Sequence, residues 1–297
     1  MQTTATAFAW YSILKYAYPA GTRWRDILAA YAVSVALNGI LPANLGTLVM
    51  LIMFSVTIAG ATFAGILGGY AVEKIFFTIA GAFVYLYLFL SVSGSFDIQF
   101  GFVHDHPVAT AIVLGGGIVL LYLLIRRWWP KVLEWWEQAK EGGAILARPR
   151  RYLLRVFLPS LVGWLAMLGA MAVFLAAYGI PVSFDVLMRV AGGNSIANVT
   201  SVTPGGAGVQ QAFNVASLNG ITDATTATAY SVAQQIVGTA WNIVLAIALM
   251  IWAWGWSGGK QLVRQSYDEA RVKEADQRAK RRERKAARAA EQERSAG

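Results

Sequence analysis

Long apolar segments, separated by short polar turns, make up most of the chain. Four of them have about 18 or more residues with few charges, which is close to the length that a helix needs to cross the hydrocarbon core of a bilayer. They are residues 61–93, 108–125, 153–178 and 224–256. The pattern predicts an all-α polytopic membrane protein. Residues 5–18 are apolar but short, so the first helix is either short or only part of a span.

Proline and glycine interrupt the apolar pattern at two places. The sequence TPGGAG at residues 203–208 lies between two apolar arms, and LPANLG at residues 41–46 ends an earlier apolar run. Proline lacks a backbone N–H and glycine is costly inside a helix, so neither turn can be regular helix. In a bilayer, broken backbone is tolerated only where protein buries it or where it lines a polar cavity. Both turns are therefore candidate sites.

The distribution of positive charge predicts the orientation. The net charge of +9 is concentrated in residues 126–155 and in the segment after residue 256. Basic loops remain on the cytoplasmic side, so both segments are predicted to be cytoplasmic, with the C-terminus. An even number of crossings must lie between them, and 153–178 and 224–256 supply two. Pro204 is therefore predicted at the tip of a re-entrant hairpin that enters from outside the cytoplasmic membrane.

The two turns belong to an internal repeat. A shift of 204 − 42 = 162 positions places Pro42 on Pro204 and Gly46 on Gly208, and it brings 61–93 onto 224–256. Three crossings separate the turns, so the halves are predicted to have opposite orientations. The expected fold is an inverted-topology repeat with two re-entrant helical hairpins. The alternative is that proline and glycine only kink ordinary spans, because both are frequent in membrane helices.

These patterns divide the chain into a membrane domain and a tail. Residues 1–256 form the predicted membrane domain, with repeat halves 1–126 and 153–256. A basic cytoplasmic loop, 127–152, joins the halves. Residues 257–297 are rich in Ala, Glu, Arg and Lys, and are predicted to be a basic cytoplasmic tail.

Three motifs resemble the lysylphosphatidylglycerol synthase transmembrane region, a flippase-like domain: LNGILPANLG at 37–46, VEKI at 72–75 and TPGGAGVQQA at 203–212. The resemblance covers about residues 23–256. It implies movement of a lipid, or of a lipid-linked headgroup, between leaflets. No soluble aminoacyl-transferase domain follows residue 256, so the synthase reaction is not expected. Three positions lack charges that the family often carries: Thr47, Gln211 and Gln235.

The candidate substrate-binding residues are polar, charged or helix-breaking positions at the turns and on the neighbouring helices. They are Asn38, Pro42, Asn44, Gly46, Glu73, Lys74, Arg189, Asn198, Thr203, Pro204, Gly205, Gly206, Gly208, Gln211 and Gln235. N–H groups in such a glycine turn can form an anion-binding nest, which suits a phosphate.

Several of these residues have structural alternatives. Glu73 lies within a predicted span, where ionisable groups usually face a cavity or each other, so it is interpreted as a paired or proton-linked group of the site. The alternative is a structural pair with Lys74, or a boundary position from which Lys74 reaches the interface. Gln211 and Gln235 either bind a headgroup, satisfy the freed backbone or join helices. Arg189 either attracts a lipid phosphate, reaches the interface or pairs with Asp185.

Other classes of chemistry have little support in the sequence. His104 and His106 lie in one loop without further clustered ligands, so no metal site is expected. No phosphate-binding loop and no catalytic constellation is present, so no nucleotide, no cofactor and no enzymatic activity is expected. The leading hypothesis is a lipid transporter or flippase of the cytoplasmic membrane, with a midplane cavity between the two broken hairpins. Its expected partners are anionic lipids or lipid-linked headgroups rather than nucleic acid. The alternatives are a scaffold for a lipid- or glycan-synthesising enzyme, recruited through the basic tail, and a membrane-embedded transferase.

Overall fold

The computed structural model describes residues 1–91, 140, 142–200 and 203–296, and it is helical, without a β-strand in these residues. Three of the described helices are long and apolar enough to cross a membrane: Phe63–Ser91, Pro149–Ala177 and Ala224–Val272. The prediction of an all-α membrane protein is confirmed. The predicted crossing 108–125 and most of the loop 127–152 lie outside the described residues.

We number the main helices in chain order. They are α1 (Gln2–Ala17), α2 (Trp24–Asn38), α3 (Leu45–Thr57), α4 (Phe63–Ser91), α5 (Pro149–Ala177), α6 (Phe184–Thr200), α7 (Val209–Ser217) and α8 (Ala224–Ala296). Short 3₁₀ turns at Pro42–Asn44 and Pro204–Gly206 separate α2 from α3 and α6 from α7. A π-helical turn, Leu153–Phe157, interrupts α5.

Helices α2 and α3 form a short hairpin, which we call the first hairpin. The 15 residues of α2 extend about 22 Å, which is less than the roughly 30 Å of a hydrocarbon core. Close packing of the two arms depends on Gly46, because a Cβ there would overlap with the backbone oxygen of Ser34. Asn38 joins the arms, since its Nδ2 donates to Thr47 Oγ1 at 3.0 Å and its Oδ1 accepts from Thr47 N at 3.1 Å.

Helices α6 and α7 form the second hairpin in the same way. Gly193 brings the arms together, because a Cβ there would overlap with Ser217 Oγ. Near the turn, Gln210 Nε2 donates to Asn194 Oδ1 at 3.4 Å. The nine residues of α7 extend about 14 Å, too little to cross a bilayer. The chain therefore returns towards the end of the bundle from which α6 came.

The bases of the two hairpins lie at opposite ends of α4. Near the start of α4, Gly65 packs against the Tyr18 hydroxyl, and Gly21 lies against the backbone of Ala59 in the loop after α3. Near its other end, Tyr87 donates a hydrogen bond to Asp185 at the start of α6. The hairpins therefore approach each other along the 29-residue length of α4.

Each hairpin packs on helices of both halves of the chain. Helices α2 and α3 pack on α8 of the second half, and α6 packs on α4 of the first half. The order of arm, turn, arm and long helix is the same in α2–α4 and in α6–α8. Buried apolar side chains fix each hairpin: Phe54 packs on Trp10 of α1, and Met188 lies in one cluster with Val84 of α4 and Tyr230 of α8.

Helix α8 reverses its direction at Gly255. This residue has φ 71° and ψ 168°, a conformation available almost only to glycine. Beyond it, Gly259 packs against Met250, and Val263 lies with Ala246 and Met250 along one slot. We call residues 256–272 the return arm. All of them except residue 256 fall in the segment that the sequence assigned to a basic tail, and Ala270 among them is fully buried.

The tips of the two hairpins

The turns of the two hairpins lie in contact with each other. Gly205 has φ 59°, and a Cβ on it would overlap with the carbonyl oxygen of Gly39, the residue that ends α2. Gly39 in turn lies against α8, where its Cβ would stand 3.1 Å from Thr239 Oγ1. Backbone therefore packs directly on backbone where the hairpins meet. Gly206 and Gly208 have positive φ as well, at 75° and 83°.

Two glutamines join the second turn to α8 through a series of hydrogen bonds. The N–H of Gly208 donates to Gln211 Oε1 at 2.7 Å, and Gln211 Nε2 donates to Gln235 Oε1 at 2.5 Å. Gln235 Nε2 then donates to the Gly205 carbonyl at 2.6 Å. We call these three bonds the glutamine relay. It satisfies backbone groups that the broken helix leaves without helical partners, which is one of the roles that the sequence left open for Gln211 and Gln235.

Other predicted residues of the second hairpin have local roles or face outwards. Thr203 Oγ1 donates to the Ala207 carbonyl at 2.9 Å and so stabilises the turn around Pro204. Asn198 is exposed on α6. Arg189 is partly buried, and in the described part of the chain no carboxylate lies within ion-pair distance of it. Asp185 accepts a hydrogen bond from Tyr87 instead.

The first turn is simpler. Pro42 opens a single 3₁₀ turn, and Asn44 closes it with φ 56°, a conformation that asparagine tolerates better than most residues. The Asn44 side chain is exposed, whereas Gly46 is buried in the contact between α2 and α3. Asn38 is engaged with Thr47, so its amide holds the hairpin together.

Glu73 belongs to a second polar cluster, which is separate from the tips. The residue is 3% exposed, and Lys74 Nζ lies 3.2 Å from its Oε2 without hydrogen-bond geometry. The Glu73 carboxylate interacts electrostatically with the hydroxyls of Tyr31 and Tyr152, which come from α2 and α5. In the residues that the structure describes, the Tyr152 hydroxyl has no hydrogen-bond partner. No hydrogen bond or ion pair there joins Glu73 to either turn, so its role in the site remains a prediction.

Lys74 lies at the exposed edge of this cluster. Its ammonium lies 4.9 Å from the ring centre of Tyr70 and 5.1 Å from that of Phe77, and about half of its side chain is exposed. Cation–π contacts of this kind stabilise an ammonium at the edge of an apolar region. Lys74 thus pairs with Glu73 and also extends outwards.

Sequence reasoning did not select four residues that position the tips. Gly39 supplies the carbonyl that meets Gly205, and Thr239 supports it from α8. Asn214 and Ser231 are fully buried, and Asn214 Nδ2 donates to Ser231 Oγ at 2.7 Å, which fixes α7 on α8. The signals were present: Asn-Gly often ends a helix, and Ser231 lies four residues before Gln235, on the same helical face.

Metal ligands are not clustered in the parts of the chain that the structure describes, where no group of three His, Cys, Asp or Glu residues is found. His104 and His106 lie outside these parts. The arrangement at the tips offers backbone dipoles, amides and hydroxyls, which suit hydrogen bonding to a polar headgroup.

The long apolar helices, with two short hairpins meeting between them, define a polytopic membrane protein. The family model of the lysylphosphatidylglycerol synthase TM region matches residues 3–248, so the chain belongs to this family. The match includes both hairpins and ends before Gly255, so the return arm lies beyond the matched residues. No curated protein and no solved structure matches the chain.

Proposed function

We propose that this protein moves a lipid, or a lipid-linked headgroup, between the leaflets of the cytoplasmic membrane, and that the meeting tips form its site. The observation that carries the proposal is the contact of Gly205 with the Gly39 carbonyl, where two broken helices from opposite ends of α4 meet. Paired broken helices from inverted halves, meeting near the bilayer midplane, are the usual binding arrangement of secondary transporters. The family gives the membrane lipid context.

The helix ends at the tips favour a phosphate-containing headgroup. Helices α3 and α7 both begin at the turns, with Leu45 and Val209 as their first residues. Helix N-termini carry partial positive charge and unpaired N–H groups, which bind anions. The headgroup would occupy the polar region at the turns while its hydrocarbon chains stay in the bilayer. No covalent step is needed, so we propose transport rather than enzymatic activity.

Glu73 is our candidate for coupling transport to a proton gradient. A carboxylate buried within a membrane span is costly unless it is paired or neutralised. Its nearest charge is Lys74 Nζ, at 3.2 Å from one oxygen. Protonation would release that pairing and change the packing around Glu73, where the neighbouring α4 residue Phe76 lies against Phe157 of α5. If Glu73 carries the proton, Glu73→Gln proteoliposomes will lose the response of translocation rate to an imposed pH gradient.

The main test measures headgroup translocation in proteoliposomes. Phospholipids with a fluorescent headgroup are incorporated, and an impermeant reductant quenches those in the outer leaflet. Wild-type protein is expected to make the inner-leaflet pool accessible, and Gly205→Leu is expected to abolish this because its side chain would force the tips apart. Gly220→Leu is the matched control, since Gly220 also has positive φ but lies in open space away from the tips.

Two outcomes would contradict the proposal. In one, the fluorescence of wild-type vesicles is quenched no further than that of protein-free vesicles. This would have to hold for phospholipids with an anionic, a zwitterionic and a cationic headgroup. In the other, folded Gly205→Leu protein translocates as fast as the wild type. Size-exclusion chromatography of both glycine variants establishes that they are folded.

A further inference from the structure

An apolar groove of about 560 Å³ runs between α1 and α5, on the outside of the bundle. On one side it is lined by Thr4, Ala5 and Phe8. Trp24 closes one end, with its ring edge-on to Phe8 at a centroid distance of 6.0 Å. None of these residues belongs to the tips or to the Glu73 cluster. We call this feature the α1–α5 groove.

The other wall of the groove comes from α5. Leu158 and Val162 line it, and about half of each side chain is exposed. Pro159, between them in sequence, lines it too. Since α5 is one of the helices that can cross a membrane, this open apolar wall faces hydrocarbon rather than water. A groove of this kind accommodates an acyl chain.

Two arginines lie towards one end of the groove. Arg155 lies in the π-helical turn of α5, three residues before Leu158, the first residue of α5 in the groove wall. Arg23 precedes Trp24 directly. Both arginines are exposed, and the described residues provide neither of them with an acidic partner within ion-pair distance, whereas the neighbouring Arg25 lies 3.5 Å from Asp26.

The same end of the α1–α5 pair carries further positive charge. Arg148 and Arg151 each lie 5.9 Å from the ring centre of Tyr16, near the end of α1. The groove therefore joins an apolar channel to a basic end, as a phospholipid joins its acyl chains to an anionic phosphate. Basic residues near the membrane surface attract anionic headgroups.

We propose that the α1–α5 groove binds one anionic phospholipid of the leaflet on the basic side. An acyl chain lies along Phe8 and Val162, and the headgroup phosphate lies between Arg23 and Arg155. The site is separate from the tips and does not depend on transport. It makes this side of the bundle selective for anionic lipid.

Native mass spectrometry of protein from mixed micelles tests the site. The probes are phosphatidylglycerol and phosphatidylcholine with identical chains. Wild-type protein is expected to retain one phosphatidylglycerol in preference to phosphatidylcholine. The double variant Arg23→Gln/Arg155→Gln is expected to lose about 25-fold in phosphatidylglycerol retention, about fivefold for each arginine, with little effect on phosphatidylcholine. Val162→Trp, which fills the groove from an exposed position, is expected to lower the retention of both lipids.

The control removes two exposed arginines from the return arm, Arg264→Gln/Arg271→Gln, and is expected to leave retention unchanged. The proposal is wrong if the wild type retains both lipids equally, if the Arg23/Arg155 variant still prefers phosphatidylglycerol, or if the control lowers the preference as much. Headgroup translocation by the Arg23/Arg155 variant separates this site from the proposed function. If the Arg23/Arg155 variant loses lipid retention but still translocates headgroups, the groove and the tips are two distinct sites. If the wild type does not translocate, the proposed function is wrong, but the result on lipid retention is unaffected.

Discussion

Gly205 is constrained both by its backbone and by its neighbour. Its φ of 59° costs an L-residue about 1–2 kcal/mol, and a Cβ would also overlap with the Gly39 carbonyl. Gly220 has φ 76° but no neighbour within contact distance of a Cβ. We expect Gly220→Ala to lower the free energy of unfolding by about 1–2 kcal/mol, and Gly205→Ala to lower it further. Denaturant unfolding in mixed micelles measures both, and equal losses would show that the tips are not in contact.

The glutamine relay predicts energetic coupling between Gln211 and Gln235. Either alanine substitution leaves a partly buried amide or carbonyl without its partner, which costs about 1–3 kcal/mol. After the first substitution the relay is already broken, so the second should cost less. A double-mutant cycle of unfolding free energies should give a coupling energy of about 0.5–3 kcal/mol. Strictly additive effects would mean that the two side chains do not interact.

Asp223, which lies outside the membrane-spanning segments, should make the stability of the protein depend on pH. The Thr226 hydroxyl donates to its carboxylate at 2.6 Å and the Thr226 N–H at 2.9 Å, and these bonds hold the pKa of Asp223 below its ordinary value. Because the folded pKa lies below the unfolded one, this stabilisation is complete above the unfolded pKa, about 3.9. It is lost as the pH falls through the folded value.

Asp223→Asn is the appropriate comparison, because asparagine also caps a helix but does not titrate. We expect the difference in melting temperature between wild type and Asp223→Asn to shift in favour of the variant as the pH falls from about 6 to about 3. A difference that does not change with pH would mean that the Asp223 carboxylate does not cap α8.

The residues of the site were predictable to different degrees. Pro204 and its glycines stand out because they cannot continue a helix, whatever surrounds them. The role of Gln235 was not predictable, because an amide serves a headgroup, a neighbouring helix or a freed backbone group equally well, and only the fold selects the Gly205 carbonyl. Gly39 was not predicted as a site residue, because it contributes a backbone carbonyl, which every residue type has.

At the level of elements, the feature that defines the hairpins is that their arms are too short to cross a bilayer. Neither α3 nor α7 can cross a bilayer, with 13 and 9 residues. Their bases lie at the two ends of α4, so the loops at the bases should be reachable from opposite faces of the membrane. The proline and glycine turns predicted where each arm stops, whereas entry of the two hairpins from opposite faces of the membrane stays a prediction.

The accessibility of these loops is testable, because the chain has no cysteine and single-cysteine variants are therefore unambiguous. Ala59→Cys and Val182→Cys both place an exposed thiol in a loop at the base of a hairpin. An impermeant maleimide added to oriented vesicles should label only one of the two, and added to inverted vesicles only the other. Labelling of both from the same face would contradict opposite entry of the hairpins.

For the whole molecule, both hairpins contribute to the contact between the two halves. The first hairpin packs on α8 of the second half, and α6 of the second hairpin packs on α4 of the first half. The repeat of 162 positions in the sequence indicated two similar halves, but not which helices would touch. Contacts between distant segments depend on the shapes of both surfaces, and a repeat alone does not specify them.

The return arm was the feature least predictable from the sequence. A single glycine, Gly255, reverses the chain, and the charged residues on the exposed face of the arm resemble those of a solvated tail. Lys260, Arg264 and Arg271 are exposed on it, while Gly259 and Ala270 are buried. A charged side chain facing the centre of the hydrocarbon costs about 2.5–3.5 kcal/mol. We therefore expect the exposed face of the arm to border water or headgroups.

Folding back of the arm is tested by a cysteine pair, Ile247→Cys/Val263→Cys. The two positions share one slot, whereas in a straight helix their 16-residue separation would place them about 24 Å apart. A short bifunctional cross-linker should join them within one chain. Gly259→Leu should abolish the cross-link, because its side chain would overlap with Met250, while Gly258→Leu meets only ordinary contacts and should not. If the cysteine pair is not cross-linked in the otherwise unchanged protein or in either glycine variant, α8 continues straight past Gly255. The return arm is then not held against the bundle.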